Sequence, residues 1–352
     1  MANNNHVVIM AGGIGSRFWP MSNKHMPKQF LDILGTGRTL IQMTVDRFVD
    51  ICGLENVWVV TSADFYDIVR EQLPDIPNEN ILLEPCRRNT APCIAYVSWV
   101  IKSINPNANI VVTPSDHVIT DTKTFQKAIS ECLQFTSSSD AIVTLGIKPD
   151  HPETGYGYIE ADLSYSTVIN KNIFRVDNFK EKPSLEIAKE YIAQPNYFWN
   201  SGLFVWNVST IVNAFRVYQP QISALFESIR HEYRTDKEKG RINTIYQQCP
   251  NISVDYAIME NADEIYVYPS EFGWSDLGSW SSLHKQLPKD EYNNALVGPN
   301  IKVFETSNSI IHTTSEKEVV VQGLDGYIIV EKNGTLLITK MSEEQRIKLF
   351  HD

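Results

Sequence analysis

Apolar residues in the first 145 positions fall into two alternating kinds of run. Short β-branched stretches at 6–11, 57–61, 81–83, 110–113 and 141–145 are separated by the longer segments 40–49, 65–73, 90–104 and 125–135, where apolar residues recur at helical spacing. A short continuous apolar run suits a strand buried on both faces, whereas a repeat near 3.6 marks a helix with one apolar face. Their alternation predicts βαβ units, and so an α/β fold: a Rossmann-like mixed, mostly parallel sheet flanked by helices. In such sheets ligands gather at the carboxyl ends of the strands.

Residues 150–290 are more mixed, with strand-like pieces at 156–159, 174–179, 201–206 and 264–268 and helical ones at 185–192, 210–218 and 221–233. They read as a continuation of the first sheet. Past Leu287-Pro288-Lys289-Asp290 the rhythm changes to short strands at 301–311, 319–321, 327–330 and 335–338, cut by Gly, Asn and Asp turns and followed by a charged helical tail at 342–350. The reading is two domains: 1–290, carrying the chemistry, and 291–352, small and β-rich with a terminal helix.

Composition narrows the function classes. Thirty-one basic against 42 acidic residues leave a net charge of −11, so the broad basic footprint of a nucleic-acid binder is missing. No apolar run approaches the ~20 residues of a membrane-spanning helix and the N-terminus has no signal-type pattern, so a cytoplasmic protein is expected. Five widely spaced cysteines without a CxxC pair indicate neither a disulfide framework nor a zinc knuckle.

The first strand runs into Ala11-Gly12-Gly13-Ile14-Gly15-Ser16-Arg17. Three glycines let the backbone approach a ligand closely and aim N–H groups at an anion. With Phe18 in the last glycine position this is not a dinucleotide GxGxxG, and with no GK[ST] it is not a P-loop. A structural turn explains the glycines equally well until Arg17 and Lys28 are added: a guanidinium and an ammonium in one loop match the β and γ oxygens of a triphosphate.

The segment AGGIGSRFWPMSNKHMPKQF resembles the N-terminal signature of sugar-phosphate nucleotidyltransferases, and its PKQFLDI continuation is similar to that of mannose-1-phosphate guanylyltransferases. EPCRRNTAPCIA at 84–95, PSDHVI at 114–119, TGYGYIE at 154–160, FKEKPS at 179–184, NSGLFVW at 200–206 and WSDLGSW at 274–280 follow in the family's order. Each piece alone is weak; together they span nearly all of 1–290. The resemblance implies a nucleotidyltransferase (glycosyltransferase-A-like) fold with a small β-helical C-terminal domain. It also implies the reaction GTP + mannose 1-phosphate → GDP-mannose + pyrophosphate, with Mg²⁺ and Mn²⁺ as a substitute.

Within that resemblance Arg17 and Lys28 take the catalytic role, and Ala11, Gly12, Gly13, Gly15, Ser16, Glu84, Asn89 and Ser115 the nucleotide. Asp116, just past a strand end, and Asp276 are the implied metal pair; hard carboxylate oxygens suit Mg²⁺, although either aspartate also fits a helix cap. Guanine presents two adjacent donors, N1–H and the 2-amino group, which one carboxylate accepts, making Glu84 the candidate; it equally fits a surface pair with Arg87 or Arg88. Asn89 is open between base contact and cap, and Thr90 reads as a helix cap. Gly157, Glu181, Lys182 and Asn200 are assigned to the sugar phosphate: backbone room, a hydroxyl acceptor, a cation and an amide that both donates and accepts. A hairpin turn, a surface ion pair and a turn residue are their plain alternatives. His117 is set aside as a ligand because Mg²⁺ prefers oxygen.

The chain reads Asn23-Lys24-His25-Met26 before Pro27-Lys28, where many relatives carry Arg and Tyr, leaving contacts from His25 and Met26 open. It ends at Asp352, where longer relatives continue into a cupin-type isomerase domain, so transferase activity without isomerase activity is expected. A homodimer is compatible with the family's C-terminal appendage. The rival readings are a guanylyltransferase for fucose or heptose phosphate and a silent GDP-mannose-binding paralogue; nucleic-acid binding is a distant third.

Overall fold

The computed structural model describes residues 4–13, 16–314 and 316–350. Nine strands form one mixed sheet: β1 Asn5–Met10, β2 Val57–Ser62, β3 Ile81–Glu84, β4 Asn109–Pro114, β5 Ile142–Ile147, β6 Gly157–Ser166, β7 Phe174–Glu181, β8 Tyr197–Asn207 and β9 Ile265–Ser270. Their order is β3-β2-β1-β4-β8-β5-β9-β7-β6. The first four are parallel, as the βαβ rhythm predicts, and β5 and β9 form a second parallel pair; β8 enters antiparallel on both sides. The mixed stretch after 150 thus continues the first sheet.

Helices cover the sheet because their sequences bury one stripe or more. The helix α1 Thr90–Ile104 buries every residue from Ala91 to Ile101. The helix α2 Thr122–Thr136 is capped by Asp121, which accepts the Thr124 N–H, and buries Phe125, Ile129 and Leu133 at helical spacing. Trp58 and Trp206 are fully buried in the main core. At ~25 cal/mol per Å² over the 150–250 Å² of an aromatic side chain, each contributes about 4–6 kcal/mol of gross burial energy.

Several boundaries differ from the sequence reading. The 40–49 helix is two pieces, Leu40–Asp46 and Val49–Cys52. The 221–233 helix stops early, as α3 Pro220–Glu227. Between α3 and β9 lies a helix the pattern did not reveal, α4 Glu238–Gln248, whose Ile242, Ile245 and Tyr246 are buried.

Contacts divide the chain into two compact units, 1–12, 45–114 and 119–274 against 13–44, 115–118 and 275–352. The first holds the nine-stranded sheet. Among its described residues from 295 onward the second contains six short strands, β10 Ala295–Val297, β11 Ile301–Phe304, β12 Ile310–Thr313, β13 Val319–Gln322, β14 Tyr327–Lys332 and β15 Thr335–Lys340. Ile301 pairs in parallel with Val319 and Ile310 with Ile328, each a step of 18 residues, so the short-strand rhythm is the rung of a β-helical coil. The run expected as one strand over 301–311 is two, because consecutive faces of the coil need a corner between them. Buried Asn294 supports that corner: its Nδ2 donates to the Thr306 carbonyl and its Oδ1 accepts the Ser309 N–H. The tail is wound as a 3-10 helix, Met341–Leu349.

Gly146 on β5 sits at a register shift opposite Asn200, where an added Cβ would lie 2.6 Å from Val267 Cγ2 and 2.9 Å from Phe198 Cβ. Gly146→Ala is therefore expected to lower unfolding free energy by about 1–3 kcal/mol, the usual cost of overpacking. Denaturant melts of the two proteins check this; equal stabilities contradict it.

Candidate active site

In the second unit one cavity of about 340 Å³ is lined by Arg17, Phe18, Lys28, Asp116, His117, Asp276, Leu277 and Gly278. Lys28 starts a short 3-10 turn, Lys28–Phe30, and is only 5% exposed. Its ammonium lies 2.9 Å from Asp116 Oδ2 and donates to the main-chain carbonyls of Asp276 at 2.7 Å and Leu277 at 3.1 Å. Burial alone would raise the Asp116 pKa, but the Lys28 and His117 charges reverse that and hold it below the usual carboxylate value. Asp276 Oδ1 accepts the Gly278 N–H at 2.9 Å, and exposed Arg17 donates to the Gly278 carbonyl at 3.2 Å. Neither aspartate is a helix cap; the helix after Asp276, Trp280–Gln286, is capped by Ser279.

Among the described residues no group of three or more His, Cys, Asp or Glu side chains gathers for a metal. The cavity offers two carboxylates, one imidazole and no sulfur, and the carboxylates are what a small hard cation takes when substrate phosphates and water complete its shell. His117 Nε2 stands 3.9 Å from Asp116 Oδ1 on the cavity wall. Gly13, whose carbonyl accepts from Gln29 at 2.9 Å, has nothing within 4 Å of where a Cβ would be. Ser115 is buried and its carbonyl accepts from the Thr44 hydroxyl at 3.3 Å. Gly15 and the Ser16 side chain lie outside the described residues.

In the first unit the chain leaves the sheet from paired positions, Met10 opposite Pro114 on β1 and β4, and Ser62 opposite Glu84 on β2 and β3. Ala11 continues β1, its N–H donating to Val60 and its carbonyl accepting from Thr61. A Cβ on Gly12 would stand 3.4 Å from Glu84 Oε2, so strand register brings these two residues together. Glu84 Oε1 accepts from the buried Tyr246 hydroxyl at 3.1 Å. Arg88 is instead committed to the Tyr246 and Gln247 carbonyls, so the surface pair with it does not form. Burial raises Glu84 from the ordinary 4.5 to about 7, with Tyr246 and Arg87 opposing. Asn89, at φ 66°, accepts the Thr90 N–H and caps α1. Thr90 is not the cap; its hydroxyl accepts the Val254 N–H.

The same unit collects Gly157, Glu181 and Asn200. A Cβ on Gly157 would fall 2.4 Å from Glu181 Oε2 and 3.3 Å from Asn200 Cβ. Glu181 Oε1 pairs with Lys182, which adopts φ 48°, and the Glu181 N–H donates to Glu260. Glu181 is 8% exposed, which sets it apart from a surface ion pair. Asn200 Nδ2 donates to Asp255 Oδ1 at 2.9 Å. Sequence reading missed Tyr246, Asp255 and Glu260. The apolar spacing of Ile242, Ile245 and Tyr246 was a usable signal for the first; single carboxylates at 255 and 260 gave none.

Residues 6–293 match the family model described as nucleotidyl transferase. The chain is 34% identical to an Escherichia coli mannose-1-phosphate guanylyltransferase over 97% of its own length and 74% of the relative's. It is 35% identical to the mannose-1-phosphate guanylyltransferase RfbM of Salmonella typhimurium, covering 98% and 71% of the two chains. A solved structure from Thermus thermophilus, described as a mannose-1-phosphate geranyltransferase, superposes with a TM-score of 0.87 at 27% identity over 99% of this chain and 98% of that one.

The raised Glu84 value has a direct consequence for stability. A carboxyl that holds its proton more tightly when folded lends stability at low pH and loses it as pH rises from about 4.5 through about 7. Glu84→Gln carries no such loss. In melts of ligand-free protein at several pH values, the variant should gain on the wild type between about pH 5 and pH 7 and then hold a constant margin; parallel curves throughout contradict the buried carboxyl.

Proposed function

The chain belongs to the nucleotidyl transferase family, among the mannose-1-phosphate guanylyltransferases, and we propose that it transfers GMP from GTP to α-D-mannose 1-phosphate, giving GDP-mannose and pyrophosphate. The observation that carries the reading is the cavity where Arg17, Lys28, Asp116 and Asp276 meet. Two cations and two carboxylates in one small space suit phosphates that arrive with a divalent metal.

In the proposed step a phosphate oxygen of the sugar 1-phosphate attacks the α-phosphorus of GTP in line. The new P–O bond forms as the bond to the β-phosphate oxygen breaks, and pyrophosphate leaves with both electrons. Such transfers need alignment and charge stabilisation more than covalent help. Arg17 and Lys28 are assigned to the charge developing on the phosphates, with Ala11, Gly12, Gly13, Gly15, Ser16 and Ser115 contributing backbone and hydroxyl contacts to the nucleotide. Asp116 and Asp276 would hold a divalent cation, Mg²⁺ or Mn²⁺, which supplies Lewis-acid stabilisation of the phosphoryl oxygens. Glu84 accepts from the guanine edge, and Asn89 is assigned to the same nucleotide; the two base N–H donors favour the ionised carboxylate, so any proton Glu84 holds is released to solvent as the base binds. Gly157, Glu181, Lys182 and Asn200 take the sugar phosphate.

Residues 1–290 carry this chemistry in the proposal and 291–352 do not. No helix among the described residues is long and apolar enough to cross a membrane, and a cytoplasmic enzyme is part of the same reading. So is a homodimer through the C-terminal coil, favoured by its exposed Phe304, Val320, Leu336 and Ile338.

Pyrophosphate release with Mg²⁺ tests the proposal, run with GTP, ATP and dTTP against the 1-phosphates of mannose, glucose, fucose and heptose. The expected outcome is release with GTP and mannose 1-phosphate alone. Preference for another sugar keeps the mechanism and overturns the substrate; binding of GDP-mannose without any turnover points to the silent paralogue.

A further inference from the structure

The C-terminal tail Met341–Leu349 lies against the turn that carries Arg17. Ile347 anchors it: fully buried, it shares a core with Phe18, Leu277 and Trp280. Phe18 follows Arg17 in the turn Ser16–Phe18, and its ring meets that of Trp280 at a centroid distance of 5.2 Å. Beside this apolar anchor sits a polar one. Half-buried Glu344 accepts the Ser281 N–H on Oε2 at 2.8 Å. Neighbouring Glu343 is spent on Arg346 instead, at 2.9 Å.

Ser281 is the second residue of the helix Trp280–Gln286, where a backbone N–H has no acceptor within the helix. Ser279 serves the Ser282 N–H and Glu344 serves that of Ser281. The segment 276–281 is thus held at both ends, by Lys28 through the carbonyls of Asp276 and Leu277 and by Glu344 through Ser281. Gly278 hangs between them, its carbonyl accepting from Arg17 and its N–H donating to Asp276. A Cβ at 278 would stand 3.3 Å from Arg17 Nη1 and 2.8 Å from Asp276 Oδ2, so both side chains approach along bare backbone. A long exposed arginine has many rotamers, and the acceptor it is tied to decides which it keeps. Arg17 also lines a second cavity of about 110 Å³ with Ser279, Trp280, Glu344, Gln345 and Lys348, so it stands between the phosphate cavity and the tail.

We propose that Glu344 is a positioning residue for Arg17: from the C-terminal tail it fixes the start of the helix Trp280–Gln286, and with it the Gly278 carbonyl that directs the guanidinium into the phosphate cavity. The inference rests on the reading of Arg17 as a contact to the β and γ phosphates. Glu344 itself touches no substrate. Its effect is therefore confined to ligands that reach Arg17, which are GTP and the departing pyrophosphate; GDP-mannose, which lacks the pyrophosphate group, is spared.

The test uses the full chain with Glu344→Ala, Glu344→Gln, Glu343→Ala, Arg17→Ala and the double variant Arg17→Ala with Glu344→Ala. Calorimetry measures binding of Mg²⁺-pyrophosphate and of GDP-mannose, steady-state kinetics give kcat and the KM for sugar phosphate, and melts confirm that each protein is folded. For Glu344→Ala, pyrophosphate affinity and kcat should each fall by about 3- to 30-fold, the range of one helix-terminal hydrogen bond. GDP-mannose affinity and the KM for sugar phosphate should stay within about twofold of wild type. Glu344→Gln keeps an acceptor for Ser281 and should recover most of the loss, whereas Glu343→Ala, which breaks the pair with Arg346, should match wild type. In the Arg17→Ala background Glu344→Ala should change pyrophosphate affinity by less than about twofold, because the group it positions is gone. The same loss in both backgrounds, an equal loss for GDP-mannose, or no loss overturns the proposal and leaves Glu344 a fastening of the tail. If wild type turns over another nucleotide or sugar, the substrate reading fails by itself, since pyrophosphate binding still reports on Arg17. If wild type binds no pyrophosphate, both fail.

Discussion

A buried ammonium has to gather oxygen acceptors or lose its charge, and Lys28 gathers them from distant parts of the chain. It holds the Asp116 carboxylate and the carbonyls of Asp276 and Leu277 at hydrogen-bond distance. One ammonium thus ties the Asp116 carboxylate to the main chain that carries Asp276. Removing Asp116 would leave the buried ammonium with only the two carbonyls, among the described residues, as acceptors. The lowered Asp116 pKa follows from the same contact: the ammonium outweighs burial and keeps the carboxylate ionised, the form a cation needs.

The first unit meets a related problem with opposite devices. Glu84 and Asp255 are each surrounded by polar groups yet raised to about 7 and about 6, because burial dominates where no lysine is close enough to outweigh it. Tyr246 donates to one oxygen of Glu84 and Asn200 to one oxygen of Asp255. Glycine then decides what approaches: Gly12 stands beside Glu84 and Gly157 beside Glu181, where a side chain would fill the space.

The parallel half of the sheet was legible because strands buried on both faces write themselves as unbroken apolar runs, and α1 was read to its ends at Thr90 and Ile104. Its cap was misplaced by one residue: Asn89 holds a positive φ, which Asn tolerates far better than Thr. The helix α4 escaped notice because EKGRINTIYQQ has a glycine in its first turn and only three buried apolar residues. The corner between Phe304 and Ile310 was invisible to a periodicity argument, which sees alternation along a strand and not the 18-residue step between rungs. At the site, loop glycines and charged pairs stood out because they recur in the motif segments. Asp255 did not, since its meaning comes from Asn200 and Glu181, 55 and 74 residues away.

The central claim is that Lys28 and its carbonyl contacts hold Asp116 and Asp276 as the two protein ligands of one divalent cation. Anomalous diffraction at the manganese edge, from crystals grown with Mn²⁺ and GDP-mannose, tests this directly. The account predicts a manganese peak about 2 Å from a carboxylate oxygen of both aspartates; a peak that touches only one of them, or lies elsewhere, contradicts it.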